Sequence, residues 1–181
     1  MIYHFTLQTM GLVAGTALVL LSLLALFLPV QNFLPRFPRS RVAGAVLLTI
    51  DLLWSFWLLA TMEMGEFAAF RMPLLIALPI GFFLVLLFVD EFLAVRALGI
   101  LCLLAAEPLL EAAFLRPEVS RLLVTVLAYL MIIKGLFWVT MPYLLRDQIS
   151  WSLRHLGRWR FLSGLSLIFG LALLICAFVA Y

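Results

Sequence analysis

The stretch "AYLMIIKGLFWVTMPYLL", Ala128 to Leu145, contains Lys134, the only lysine of the chain, in the middle of an apolar run. Apart from two histidines, every other basic side chain is an arginine. Eighteen residues with one charge are long enough to suggest a membrane span, and the rest of the chain agrees. Of 181 residues, 67% are hydrophobic and 12% charged, with a mean hydropathy of +1.24. A water-soluble domain of this size carries roughly twice that charged share. The solvent is therefore a bilayer, and each crossing of its ~30 Å core takes about 20 apolar residues.

Six segments meet that length: 6–29, 42–62, 73–89, 97–115, 122–145 and 161–180. The third and fourth are the shortest, divided only by "DEFLAVR". The first is read as a retained helix and not a signal peptide, because "MIYHFTLQTM" has no basic start and no small-residue cleavage site ends the run. Cys102 and Cys176 fall inside apolar segments, with neither disulfide nor metal-ligand spacing. The basic balance, with pI ≈ 9.2, is spread over membrane loops, so it reads as a topology signal and not as a nucleic-acid surface.

Arg36, Arg39, Arg41, Arg96, Arg146, Arg154, Arg158 and Arg160 fall in or beside the loops at 30–41, 90–96 and 145–160, whereas Arg71, Arg116 and Arg121 fall on the other side. The positive-inside bias then places the first set in the cytoplasm and both termini outside. The helices entering from the arginine-rich side share a beginning: "RVAG" (Arg41 to Gly44), "RALG" (Arg96 to Gly99) and "RFLSG" (Arg160 to Gly164). An arginine there reaches lipid phosphate, and a glycine one turn inside lets a neighbouring helix come close. The expected fold is all-α, six transmembrane helices as three tandem hairpins.

The last hairpin, "IIKGLFWVTMPYLLRDQISWSLRHLGRWRFLSGLSLIFGLALL", resembles the YjeT-type small inner-membrane proteins, two-helix hairpins of unknown function. Lys134, Gly135, Leu136 and Pro142 match that family's layout of a charge before Gly-Leu and a proline near the helix end. Arg160 and Gly164 match its Arg-x-x-Gly opening with one extra residue between them. Pro29, Arg41 and Gly44 echo the same layout in the first hairpin. The resemblance covers about 50 residues and implies hairpin architecture and a bacterial inner membrane, with no activity attached.

Counting inward along each expected segment places Asp51 ~14 Å, Glu107 ~15 Å and Lys134 ~17 Å from the arginine-rich side. A charge at the bilayer centre costs at least ~3 kcal/mol, so it normally finds a partner. The expected arrangement is an ion pair from Lys134 to Asp51 or Glu107, with Glu111 one turn beyond Glu107 and Pro108 between them. Two functions follow from that cluster. One is assembly, in which the buried charges lock helices or dock a subunit. The other is a proton or cation path from Glu111 and Glu107 to Asp51, with Lys134 as fixed counter-charge.

"RDQISWSLRHLGRWR" (146–160) reads as a surface helix over about 146–157, with Leu145, Ile149, Leu153 and Leu156 on one face. Trp151, Arg154, Arg158 and Trp159 suit lipid headgroups. Small-residue pairs Gly11/Gly15 and Ser166/Gly170 suggest helix–helix contact. No HExxH, GxSxG or Walker-type phosphate loop occurs, His4 and His155 fall near opposite surfaces, and no serine in a span has a histidine on its own helix. No cofactor or metal is expected. The expected role is a non-catalytic subunit or scaffold whose partners are the lipid bilayer and other membrane chains or a second copy; a small ion-coupled transporter is the alternative.

Overall fold

The computed structural model describes residues 5–28, 33–89 and 91–179, so His4 and Pro29 lie outside the described residues. All regular structure in the described chain is helical: α1 (Leu7–Phe27), a 3-10 segment Leu34–Arg39, α2 (Arg41–Thr61), a 3-10 segment Gly65–Phe70, α3 (Arg71–Phe88), α4 (Leu93–Ala113), α5 (Arg121–Thr140), α6 (Tyr143–Leu153) and α7 (Leu156–Val179). Six helical stretches are long and apolar enough to cross a membrane, which makes this a multi-pass membrane protein.

The helix ends follow local chemistry. The Thr6 hydroxyl accepts from the Thr9 amide at 3.2 Å to open α1, and Ser40 accepts from Ala43 at 3.2 Å to open α2. Inside the spans, hydroxyls donate back to the carbonyl one turn earlier, as from Thr16 to Leu12, Ser22 to Leu18 and Thr49 to Ala45. That internal bond is what makes them tolerable in an apolar helix. At the other end of the bundle Arg71 donates to the Met62 carbonyl and Arg121 to the Arg116 carbonyl, each tying down its own loop.

Two boundaries correct the sequence reading. The fifth span, expected to run to 145, stops at Thr140, because Pro142 disfavours helical backbone at Met141, which takes φ −126°, ψ 70°. The sixth, expected from 161, begins at Leu156 and takes up Arg158, Trp159 and Arg160. The helix between them runs over 143–153 and not 146–157.

Helix α4 is the hub, packing on α5 and α2 and touching α1; the second large pairing is α1 with α7, and α3 packs chiefly on α2. One core joins Leu7, Met10 and Ala14 of α1, Ala106, Leu109, Ala112 and Ala113 of α4, Val124 and Ala128 of α5, and Leu173 of α7. A smaller one joins Leu48 of α2 to Leu93 and Ala97 of α4, with Phe82, Val85 and Leu86 of α3 against it. Tandem hairpins across the arginine-rich turns would pair α1 with α2, α3 with α4 and α5 with α7. The principal contacts instead pair α2 with α3, α4 with α5 and α1 with α7. Small residues decide it: α4 carries Ala94, Ala97, Gly99, Ala106, Ala112 and Ala113, all buried, and so admits neighbours on several sides.

No residue of α3 is buried. The accessible surface totals 11392 Å², whereas a compact water-soluble monomer of 20.4 kDa would expose about 8,800 Å². Large apolar side chains are exposed along every spanning helix except α4, as expected where lipid or another membrane chain is the neighbour.

Candidate functional site

Contacts between helices fix the heights of the intramembrane charges. Against α4, the Gly44 position of α2 meets Leu93 and Ala94, and the Gly135 position of α5 meets Gly99 and Leu103. Asp51, seven residues beyond Gly44, and Lys134, beside Gly135, therefore both come close to the height of Cys102. Glu107 lies five residues further along α4, ~7–8 Å at 1.5 Å per residue, and Glu111 ~6 Å beyond that. Asp51 and Lys134 thus lie at similar heights, while Glu107 and Glu111 stand apart from them.

The expected ion pair is absent. Among the described residues the ammonium of Lys134 has no carboxylate within 4.0 Å, whereas Arg146 and Asp147 form a salt bridge at 3.0 Å on the surface. Asp51 and Lys134 belong to helices on different sides of α4, whose backbone is in contact with both. Asp51 is only 3% exposed, on the face of α2 that also buries Gly44, Leu48 and Leu58, and neither carboxylate oxygen has a hydrogen-bond partner. Lys134 is exposed. Gly135 is locked against α4, and successive helical residues diverge by about 100°, so the lysine is turned off the packed face.

Glu107 and Glu111 border an open groove of about 630 Å³ along α4 and α5, lined mainly by Ala106, Leu110, Phe114 and Ile132. Neither Asp51 nor Lys134 lines it, so the sequence of carboxylates expected to lead inward from Glu111 to Asp51 is not continuous along this groove. Helix α4 runs unbroken through Pro108, which is buried.

The arginine–glycine openings divide. An added Cβ at Gly44 would lie 2.8 Å from the Ala94 nitrogen, and one at Gly99 would lie 2.9 Å from the Gly135 carbonyl oxygen. Both glycines therefore serve close approach, as expected of Arg41–Gly44 and Arg96–Gly99. Gly164 has nothing within 4 Å of the same position, so the Arg160–Gly164 opening makes no such contact. Helix α7 uses Gly170 instead: its added Cβ would meet Leu18 at 3.0 Å, while one at Gly15 would lie 3.1 Å from the Gly170 oxygen. The expected use of Gly15 and Gly170 at a helix contact is thus met by each other.

The surface helix also differs from expectation. Leu145 and Ile149 of α6 are buried with Val95 of α4, against Leu34, Phe37, Phe92 and Trp138. The apolar face covers the end of the bundle and does not dip into lipid, because the 3-10 segment Leu34–Arg39 and the start of α4 supply an apolar floor beneath it. Leu156, expected on that face, is 48% exposed. Trp151 and Arg158 remain outside and stack, the guanidinium 4.9 Å from the ring centre; Arg154 is exposed. Trp159 is half-buried and its indole N–H donates to the Ala25 carbonyl of α1 at 2.8 Å.

That indole bond and the Gly99–Gly135 contact were missed as pairings from the sequence. "KG" at Lys134–Gly135 did carry a signal, since a glycine inside a span favours helix contact; nothing in the sequence names Ala25 as an acceptor. Among the described residues no three metal-ligating side chains converge, and both cysteines are unlinked. Comparison with protein-family models, curated proteins and solved structures found no match to this chain.

Proposed function

We propose that the chain is a non-catalytic subunit or small scaffold of a bacterial inner membrane, working through helix packing with other membrane proteins. Lys134 carries this reading: an ammonium on the exposed face of a spanning helix, with no carboxylate of the described chain in range. Lipid covers the remaining exposed apolar surface without penalty, but a lone charge at the centre of a spanning helix costs ~2.5–3.5 kcal/mol on insertion scales. Reaching for water is hindered too. Because α5 ends at Thr140 and not at 145, Lys134 is six residues from that end, ~9 Å and not the expected ~17 Å, but its Cα–Cβ bond tilts toward Arg121, away from that end.

The orientation proposed with it has the arginine-rich end in the cytoplasm and both termini outside. The resemblance of residues 132–174 to YjeT-type hairpins is kept as a proposal about architecture and membrane. An ion-coupled transporter is the second reading. It draws on the Glu107–Glu111 groove and on unpartnered Asp51, which lie in separate parts of the molecule.

The test is the size of the native assembly after extraction into mild detergent or polymer-bounded nanodiscs. A defined complex larger than the 20.4 kDa chain is expected. A lone monomer under conditions that preserve other inner-membrane complexes would refute the subunit reading.

A further inference from the structure

Resting on the subunit reading, we infer that the outer face of α5 around Lys134 docks a transmembrane helix of a different protein, one bearing an aspartate or glutamate at the height of Cys102. Leu122, Val126, Leu130, Ile133 and Phe137 are all exposed, from 46% at Leu130 to 54% at Leu122. They recur at intervals of three and four residues, the spacing of one helix face. Lys134 is four residues after Leu130 and three before Phe137, so it joins that stripe. The result is a helix-length apolar track with one ammonium on it, and its complement is an apolar helix with one carboxylate.

The track is held rigidly. Gly135 and Gly99 are in mutual backbone contact, so α5 cannot roll to bring Lys134 inward without breaking its main interface. A second copy of this chain does not supply the complement. Copies related by an axis along the membrane normal meet at equal heights, and the carboxylate at the height of Lys134 is Asp51, 3% exposed in the α2–α4 contact. Glu107 and Glu111 open into the groove beside Ile132, two residues and about 200° round α5 from Lys134, so they are not on the face that a two-fold pair of copies would share at Lys134. The partner is therefore a distinct chain, and the carboxylate it brings sets both its register and its identity.

The probe is a synthetic leucine–alanine transmembrane peptide with one aspartate at the matching height, reconstituted with the full chain in phosphatidylcholine vesicles and followed by energy transfer. Two control peptides carry leucine at that position, or the aspartate seven residues further along. Association of the first peptide at least tenfold tighter than either control is expected. The preference should disappear in Lys134→Met, persist in Lys134→Arg, and transfer to a lysine peptide in Lys134→Asp. Equal association of all three peptides, or a preference unchanged in Lys134→Met, would overturn the inference. So would a preference abolished by adding phosphatidylglycerol, since a lipid phosphate would then be holding the ammonium. If the peptides fail while the native assembly stays larger than the chain, the docking site is wrong and the subunit reading stands; a lone native monomer refutes that reading itself.

Discussion

Gly135→Ala and Gly164→Ala make the same chemical change in two spanning helices and should have opposite effects. At Gly135 the new methyl would lie 2.8 Å from the Gly99 carbonyl oxygen and 3.0 Å from Leu103. The oxygen belongs to a helix backbone and cannot rotate away, so α4 and α5 must separate by about 0.6 Å to restore an ordinary contact near 3.4 Å. A gap of that size forfeits a quarter to a half of each straddling atom pair's ~0.1–0.2 kcal/mol. Over about twenty such pairs the loss is ~0.5–2 kcal/mol, in line with the ~1–3 kcal/mol typical of overpacking. Alanine returns ~0.5–1 kcal/mol of helix propensity at either site. Because Gly164 faces open space, only that gain applies there. The propensity contribution cancels between the variants, and the expected difference in stability, ~1–2 kcal/mol where the worked loss and the overpacking range overlap, is the clash alone. Unfolding by sodium dodecyl sulfate in mixed micelles, followed by the fluorescence of the five tryptophans, measures it. Gly99→Ala combined with Gly135→Ala should cost less than the sum of the two, since a single separation relieves both clashes. Equal stabilities for Gly135→Ala and Gly164→Ala, within ~0.5 kcal/mol, would refute backbone contact at this interface.

Trp159→Phe removes the indole bond to Ala25 and should lower stability by ~0.5–1.5 kcal/mol in the same titration; no change would mean α7 is not tied to α1 there. Asp51→Ala deletes a carboxyl buried without a partner, which relieves ~1–3 kcal/mol against a smaller loss of packing, so a net stabilisation of ~1 kcal/mol is expected. A net loss would show that the carboxyl has a ligand and would favour the transporter. Ile149→Asp puts a charge into the cluster of Val95 and Leu145 and should cost ~3 kcal/mol or more, whereas a helix lying free on the headgroups would tolerate it.

The six spans were legible because a run of apolar residues long enough to cross a bilayer has few alternatives, and because the arginines mark one set of turns. The end of α5 was legible too, in "TMP", but the apolar residues past Pro142 outweighed it when the span was carried to Leu145. Those residues are apolar for another reason: Leu145 and Ile149 close over Phe92 and Val95. Hydropathy cannot tell lipid from an apolar floor built by a distant part of the chain. The same limit explains the glycines. Gly44, Gly99 and Gly164 follow one pattern, yet Gly44 meets α4 and Gly99 meets α5 while Gly164 meets nothing, because α7 approaches α1 through Gly170.

The ion pair failed for a reason that bears on what the molecule does. Similar height is necessary for Asp51 and Lys134 to meet, and they have it, but α4 stands between their helices. A hub of alanine and glycine brings α2 and α5 close to its backbone on different sides; Gly44 and Gly135 each lie against α4 main chain. The feature that lets one helix organise the bundle is therefore the feature that separates its opposite charges. Asp51 is sealed inside, and the only lysine is left facing outward. A pair within the chain would have satisfied both charges; on the docking proposed above, a second chain supplies the carboxylate that the bundle does not bring to Lys134.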